Sequence, residues 1–182
     1  MKTTNGQGKG RNVEIKARAR DFETQMQHAA RLAGGSVSHL LQEDIFFSVP
    51  VGRLKLRKFE DGSAELIPYE RNNSSEPRQS EYLFFRTNDA EGLQKVLAEA
   101  LGVRGIVRKR RAVYLVGQTR IHLDRVEGLG SFVELEVVLD AGQDVQYGIA
   151  VVEDLMLKLD IQKEDVVPTA YVDLINSGAE HE

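Results

Sequence analysis

Cysteine is absent from the 182 residues, and so is tryptophan. Without a thiol there can be no disulfide, no thiolate-bound metal and no cysteine nucleophile. No apolar run approaches the roughly 20 residues that span a bilayer, and nothing near Met1 has the make-up of a signal peptide. A cytoplasmic protein without a membrane partner is therefore expected. An excess of basic charge is missing too: 24 Lys and Arg stand against 28 Asp and Glu, for a net charge of -4. That balance argues against a nucleic-acid partner held by bulk charge.

What is present suits a folded globule, with 41% hydrophobic and 29% charged residues. The length fits one core, so a single domain over residues 11–176 is expected, after a disordered leader at 1–10 and before a short tail at 177–182. Asn12 to Arg18 reads as an opening strand with Glu14, Lys16 and Arg18 on one face and Val13, Ile15 and Ala17 on the other. The alternation returns in Arg53 to Arg57, Arg120 to Asp124 and Val133 to Val137. Whole strand faces carry one sign, basic from Arg53 to Arg57 and acidic at Glu134 and Glu136. If those faces converge, the acids can hold a cation and the bases a polyanion.

Around these segments the pattern predicts further strands over Leu40–Val49, Ala64–Tyr69, Ser80–Arg86 and Gly105–Leu115, with Pro68 marking an irregular or edge position. A mobile loop is expected over 71–79. Asp21 and Asn88-Asp89 start helices ending near Ala33 and Leu101, and Val145, Ile149, Val152, Leu155, Met156 and Leu159 repeat at helical spacing between Asp144 and Asp160. A short last helix fits Ala170–Asn176. Eight strands joined mostly by short turns predict an α+β fold, an eight-stranded antiparallel barrel with its helices outside and its charged faces within.

A solvated sheet face would explain any one charged strand. Enclosing Arg53, Lys55 and Arg57 costs several kcal/mol per unpaired ion, so four such strands together call for compensating anions, from carboxylates or from a ligand. A triphosphate suits Arg forks and Lys ammonium groups, and carboxylates at Glu14, Glu134 and Glu136, with Asp124 on the adjacent strand, suit Mg²⁺ or Mn²⁺. His122 reads as a hydrogen-bonding wall residue, and Tyr82 and Tyr114 as packing residues. The run Arg108 to Arg111 points to both faces of its strand, and alternation does not choose between them.

These residues resemble the CYTH superfamily of triphosphate tunnel enzymes, which includes class IV adenylyl cyclases and thiamine triphosphatases. Asn12-Val13-Glu14-Ile15-Lys16 is similar to the family's E-x-E-x-K opening with Asn in place of the first Glu, and Lys55-Leu56-Arg57 to its K/R-x-R strand. Lys109-Arg110-Arg111 is similar to its later K-x-R, and Asp124 with Gly128-Leu129-Gly130-Ser131-Phe132-Val133-Glu134-Leu135-Glu136 to its Asp and G-L-G-x-F-x-E-x-E region. The G-L-G segment points toward the cyclase branch.

The resemblance implies an eight-stranded tunnel that binds a triphosphate and needs Mg²⁺ or Mn²⁺. Glu14, Glu134 and Glu136 would hold metal with help from Asp124. Lys16, Arg57, Lys109 and Arg111 would contact phosphates, with Lys55 and Arg78 beside them; Lys16 and Asp124 are the expected catalytic pair. The implied reaction is ATP to cyclic AMP and pyrophosphate by a monomer or homodimer. A tripolyphosphatase, a thiamine or nucleoside triphosphatase, and a noncatalytic nucleotide- or polyphosphate-binding module are the alternatives, the last suggested by Asn12.

Overall fold

The computed structural model describes residues 7–69 and 75–179. Eight antiparallel strands close into a barrel in the order β1-β5-β4-β3-β2-β6-β7-β8. They are β1 (Gln7–Arg18), β2 (Ser38–Phe47), β3 (Arg53–Phe59), β4 (Ala64–Tyr69), β5 (Arg78–Thr87), β6 (Val103–Val116), β7 (Thr119–Val126) and β8 (Gly130–Val138). The helices are α1 (Phe22–Leu32), α2 (Ala90–Leu101), α3 (Val145–Lys158) and α4 (Tyr171–Ala179).

The expected architecture is the observed one, with a few shifts. β1 starts at Gln7, so residues 7–10, expected in the leader, pair with Tyr82 to Phe85 of β5, with Gln7 opposite Phe85 and Gly10 opposite Tyr82. Backbone pairing extends the strand where side-chain alternation gave no cue. Residues 1–6 and 70–74 lie outside the described residues, which takes in 71–74 of the loop expected at 71–79; Arg78 and Gln79 already belong to β5. Pro68 is not on an edge, because closure leaves none. It coincides instead with a break in the β4–β5 ladder between Leu66 and Tyr69.

Three apolar clusters settle the helices. The largest joins the outward faces of β1, β7 and β8, including Val13, Ile15, Leu123 and Leu135, to α1 and to Val152, Leu155, Met156 and Leu159 of α3. α2 covers Ile45, Leu56 and Ala64 through Leu93, Leu97, Ala98 and Leu101, while its Val96 is exposed. Side-chain carboxylates cap α1, α2 and α3, Asp21 accepting from Thr24, Asp89 from Gly92 and Asp144 from Tyr147.

The third cluster closes the barrel. Phe46, Val107, Val126 and Phe132 meet Ala170, Tyr171 and Val172 at the start of α4. Approach to that end is guided by Val167, whose amide donates to the Lys16 carbonyl at 2.8 Å. At the β7–β8 turn, Gly128 and Gly130 adopt positive φ of 74° and 91°, which a side chain would strain. The G-L-G segment therefore sets the register that puts Glu134 opposite His122 and Glu136 opposite Arg120.

Candidate active site

Inward side chains line a cavity of about 390 Å³ inside the barrel. Because inner positions alternate along each strand, a few short sequences supply a belt of polar and charged lining: Asn12, Glu14 and Lys16 from β1, Lys55 and Arg57 from β3, Lys109 and Arg111 from β6, Glu134 and Glu136 from β8. The ambiguity in the basic run is resolved. Lys109 and Arg111 are buried and face in, while Arg108 and Arg110 are exposed.

The cationic half is organised around Asp44, which the sequence reading passed over. Arg57 Nε and NH2 donate to its two oxygens at 2.7 Å each, and the Lys55 and Lys109 ammonium groups each stand 3.5 Å away. Burial acts to raise the Asp44 carboxyl, but the charges of Arg57, Lys55 and Lys109 outweigh it and hold the group well below the ordinary range. For Lys55, burial and then the neighbouring Arg57 lower the ammonium to about 7, against the opposing pull of Asp44. Lys109 is lowered by burial and by Arg111. Gln42-Glu43-Asp44-Ile45-Phe46 does alternate, and that alternation could have placed Asp44 inside; the apolar content of the segment masked it.

A second clamp ties β6 to β7 and β8. Arg111 donates from Nε at 2.7 Å and from NH2 at 2.5 Å to Asp124, and from NH2 at 2.6 Å to Glu134. Asp124, expected beside a metal, is fully buried, with Arg111 on both oxygens and the Tyr171 hydroxyl donating to one at 3.2 Å. Glu134 is held well below its usual range: burial opposes this, and Arg111, His122 and Lys109 prevail. His122 lies between the two acids of β8, Nδ1 3.6 Å from Glu134 and Nε2 3.8 Å from Glu136, and burial lowers its pKa. It lines the tunnel wall.

Glu14 stands directly opposite Glu136 in the β1–β8 ladder, and Lys16 opposite Glu134. Asn12, the departure from the acidic signature, donates its side-chain amide to Glu136, and Arg120 Nε reaches the other Glu136 oxygen at 2.8 Å. Arg78 is across from Glu14, its Nε 4.0 Å from a carboxylate oxygen. Among the described residues, no three Asp, Glu or His side chains converge as a ready metal cage. The donor set still suits a hard divalent cation, since carboxylates directly opposite one another repel unless a positive charge sits between them.

Lys16 is the most buried of the bases. Its ammonium donates to the Thr169 carbonyl and lies 4.3 Å from the centroid of the Tyr171 ring, with Lys109 5.3 Å from the same ring. Tyr171 thus touches both clamps from beyond the barrel. No local sequence signal marks it, because only the return of α4 across the barrel end brings it there.

The comparisons agree with this geometry. A protein of Methanocaldococcus jannaschii named "Putative adenylate cyclase" is 27% identical over 175 residues, covering 89% of this chain and 97% of that one. A solved structure from Pyrococcus horikoshii superposes with a TM-score of 0.78 at 28% identity, over 90% of this chain and 98% of its own. An adenylyl cyclase candidate of Hippeastrum, described as having a dominant triphosphatase activity, shares the fold at a TM-score of 0.62 and 19% identity, over 92% of this chain and 96% of its own. The CYTH domain profile matches residues 10–171, and the chain belongs to the CYTH domain family.

Proposed function

We propose that this chain is a divalent-cation-dependent enzyme acting on a triphosphate, and that its reaction is the cyclase one, ATP to cyclic AMP and pyrophosphate. One observation carries the reading: Lys55, Arg57, Lys109 and Arg111 face the carboxylates Glu14, Glu134 and Glu136 inside one closed barrel. The bases are balanced internally by Asp44 and Asp124, so a phosphate chain meets cations already held in place. Such preorganised charge is what phosphoryl chemistry needs from a protein.

In the reaction the ribose 3′-oxygen forms a bond to the α-phosphorus while the bond from that phosphorus to the bridging oxygen breaks. The electron pair departs with pyrophosphate, and the hydroxyl proton is released to water. Lys16, Arg57, Lys109 and Arg111 neutralise charge on the phosphate oxygens, with Lys55 and Arg78 adding to them. Asp124 acts through Arg111 by fixing its fork. Glu14, Glu134 and Glu136 would hold Mg²⁺ or Mn²⁺, which supplies a lowered hydroxyl pKa and charge neutralisation on the leaving group.

Hydrolysis is the second reading, favoured by the triphosphatase activity described for the Hippeastrum protein of this fold. Water would then attack the terminal phosphorus in the same cavity. Incubating the protein with ATP and Mn²⁺ and separating the products tests both. Cyclic AMP with pyrophosphate supports the cyclase, ADP with orthophosphate the hydrolase, and tight binding without product a noncatalytic module. Loss of product formation in Glu134→Gln ties the activity to the tunnel.

A further inference from the structure

The inward residues of each strand run from the end closed by α4 to an open mouth, and their chemistry changes along the way. On β3 the order is Arg53, bound to Asp173 of α4 at 2.8 Å, then Lys55, Arg57 and finally Phe59. On β2 it is Phe46 under α4, then Asp44, Gln42 and Leu40; on β6, Val107 under α4, then Lys109, Arg111 and Val113. On β4, Tyr69 packs at the α4 end and Glu65 lies at the other, across from Arg86 of β5. Beyond the charged belt, therefore, the mouth is lined by Leu40, Phe59, Val113 and Phe84, with Tyr82 one inward position deeper on β5.

The two β5 aromatics have room because β1 supplies glycine opposite them. Gly10 pairs with Tyr82 and Gly8 with Phe84. A Cβ on Gly10 would come within 2.5 to 2.9 Å of the Tyr82 phenol. The rings are arranged near-parallel, with centroids 6.3 Å apart and planes 26° apart. Arg86 stands 5.0 Å from the Phe84 centroid and is itself tethered to Glu65 at 2.8 Å. Both rings are only partly buried and line the cavity, so they retain surface for a ligand.

We propose that Phe84, Phe59 and Tyr82 form a stacking collar at the mouth that selects triphosphates bearing an aromatic ring over inorganic tripolyphosphate. The inference rests on the triphosphate reading and adds to it the residues that select the organic end of the substrate. A chain of phosphates occupying the charged belt would leave its organic end at the collar. An inorganic chain gains nothing from apolar walls, whereas a nucleobase or comparable heterocycle buries both faces and stacks. Ring packing over glycine also fills space in the barrel wall, and the two roles differ in what a volume-preserving substitution does.

The test measures binding of ATP and of inorganic tripolyphosphate by calorimetry in EDTA, for the unaltered protein, Phe84→Leu and Phe84→Tyr. Phe84→Leu is expected to weaken ATP about fivefold to tenfold while changing tripolyphosphate by less than about twofold. Phe84→Tyr is expected to retain ATP affinity. If Phe84→Leu weakens both ligands alike, or leaves ATP untouched in a protein whose melting temperature is unchanged, the collar has no selective role and the proposal is overturned. If tripolyphosphate binds the unaltered protein at least as tightly as ATP, the collar fails while the triphosphate reading stands. If neither ligand binds, in EDTA or with Mn²⁺ restored, both fail.

Discussion

Arg57 grips Asp44 with two parallel hydrogen bonds, 2.7 Å from Nε and 2.7 Å from NH2, across adjacent strands β2 and β3. The pair matters because Lys55 and Lys109 lean on the same carboxylate. One buried anion thus stands in for part of a ligand and keeps three cations together.

Removing that anion is expected to be costly. Asp44→Asn leaves buried like charges facing one another, and about 3–5 kcal/mol of stability should be lost. Denaturant unfolding measures the loss. Tripolyphosphate should raise the melting temperature of the variant more than that of the parent, because the ligand restores the missing negative charge; an equal shift would show that Asp44 does not stand in for substrate.

The same cluster predicts proton uptake on binding. Lys55, lowered to about 7, is part neutral at physiological pH, and a phosphate chain favours its charged form. The contribution of Lys55 to tripolyphosphate affinity should therefore be constant below about 7 and fall as pH rises above it, by up to about tenfold per unit for one linked proton. Calorimetry in buffers of differing ionisation enthalpy reads the proton directly.

Stability should respond to acid in the opposite sense. Asp44 and Glu134 have folded pKa values depressed by their basic partners. Between those values and the unfolded ones near 4, the unfolded chain binds more protons. Their contribution is thus fully present above about pH 4–5 and is lost as pH falls through the depressed folded values. Thermal melts from neutral pH downward should be flat and then drop steeply. For Lys55, whose folded value is lowered, stability should instead rise with pH between about 7 and 10.4.

Asn12 offers a metal-linked test. Asn12→Glu replaces the donor that now holds Glu136 with a third acid beside Glu14 and Glu136. Without added metal the variant should lose about 1–3 kcal/mol. Mg²⁺ or Mn²⁺ should recover stability in the variant more than in the parent, read as the metal-induced shift in melting temperature. No difference between the two would remove the carboxylate row as the cation site.

Packing outside the barrel makes a prediction independent of the site. A Cβ on Gly148 of α3 would fall 2.4 Å from Val13 Cγ2 and 3.1 Å from Leu139 Cδ2, where neither neighbour has free space. Gly148→Ala should lower stability by about 1–3 kcal/mol with triphosphate binding retained, because β1 carries Glu14 and Lys16 on its other face.

How much of this was legible in the chain itself differs from residue to residue. Glu14, Lys16, Lys55, Arg57, Glu134 and Glu136 could be read because a strand repeats every two residues, and a charge that keeps that period must share a face with its neighbours. The α3 stripe was as clear, since Val152, Leu155, Met156 and Leu159 all reach the core. Asp44 was hidden by its apolar strand, and the two faces of Arg108 to Arg111 could not be told apart by alternation, which names faces without saying which is inside.

Local periodicity, then, determined the strands, the helices and the two kinds of face, because each depends on residues a few positions apart. Only closure of the barrel decided that Asp44 would gather Lys55, Arg57 and Lys109, that Asp124 would back Arg111, and that Gly10 would sit beneath Tyr82. Those pairs join strands that hydrogen bonding aligns across the sheet, and Tyr171 reaches them from α4. Their energies depend on burial and opposing charge at a few ångströms, quantities that exist only once distant segments have met.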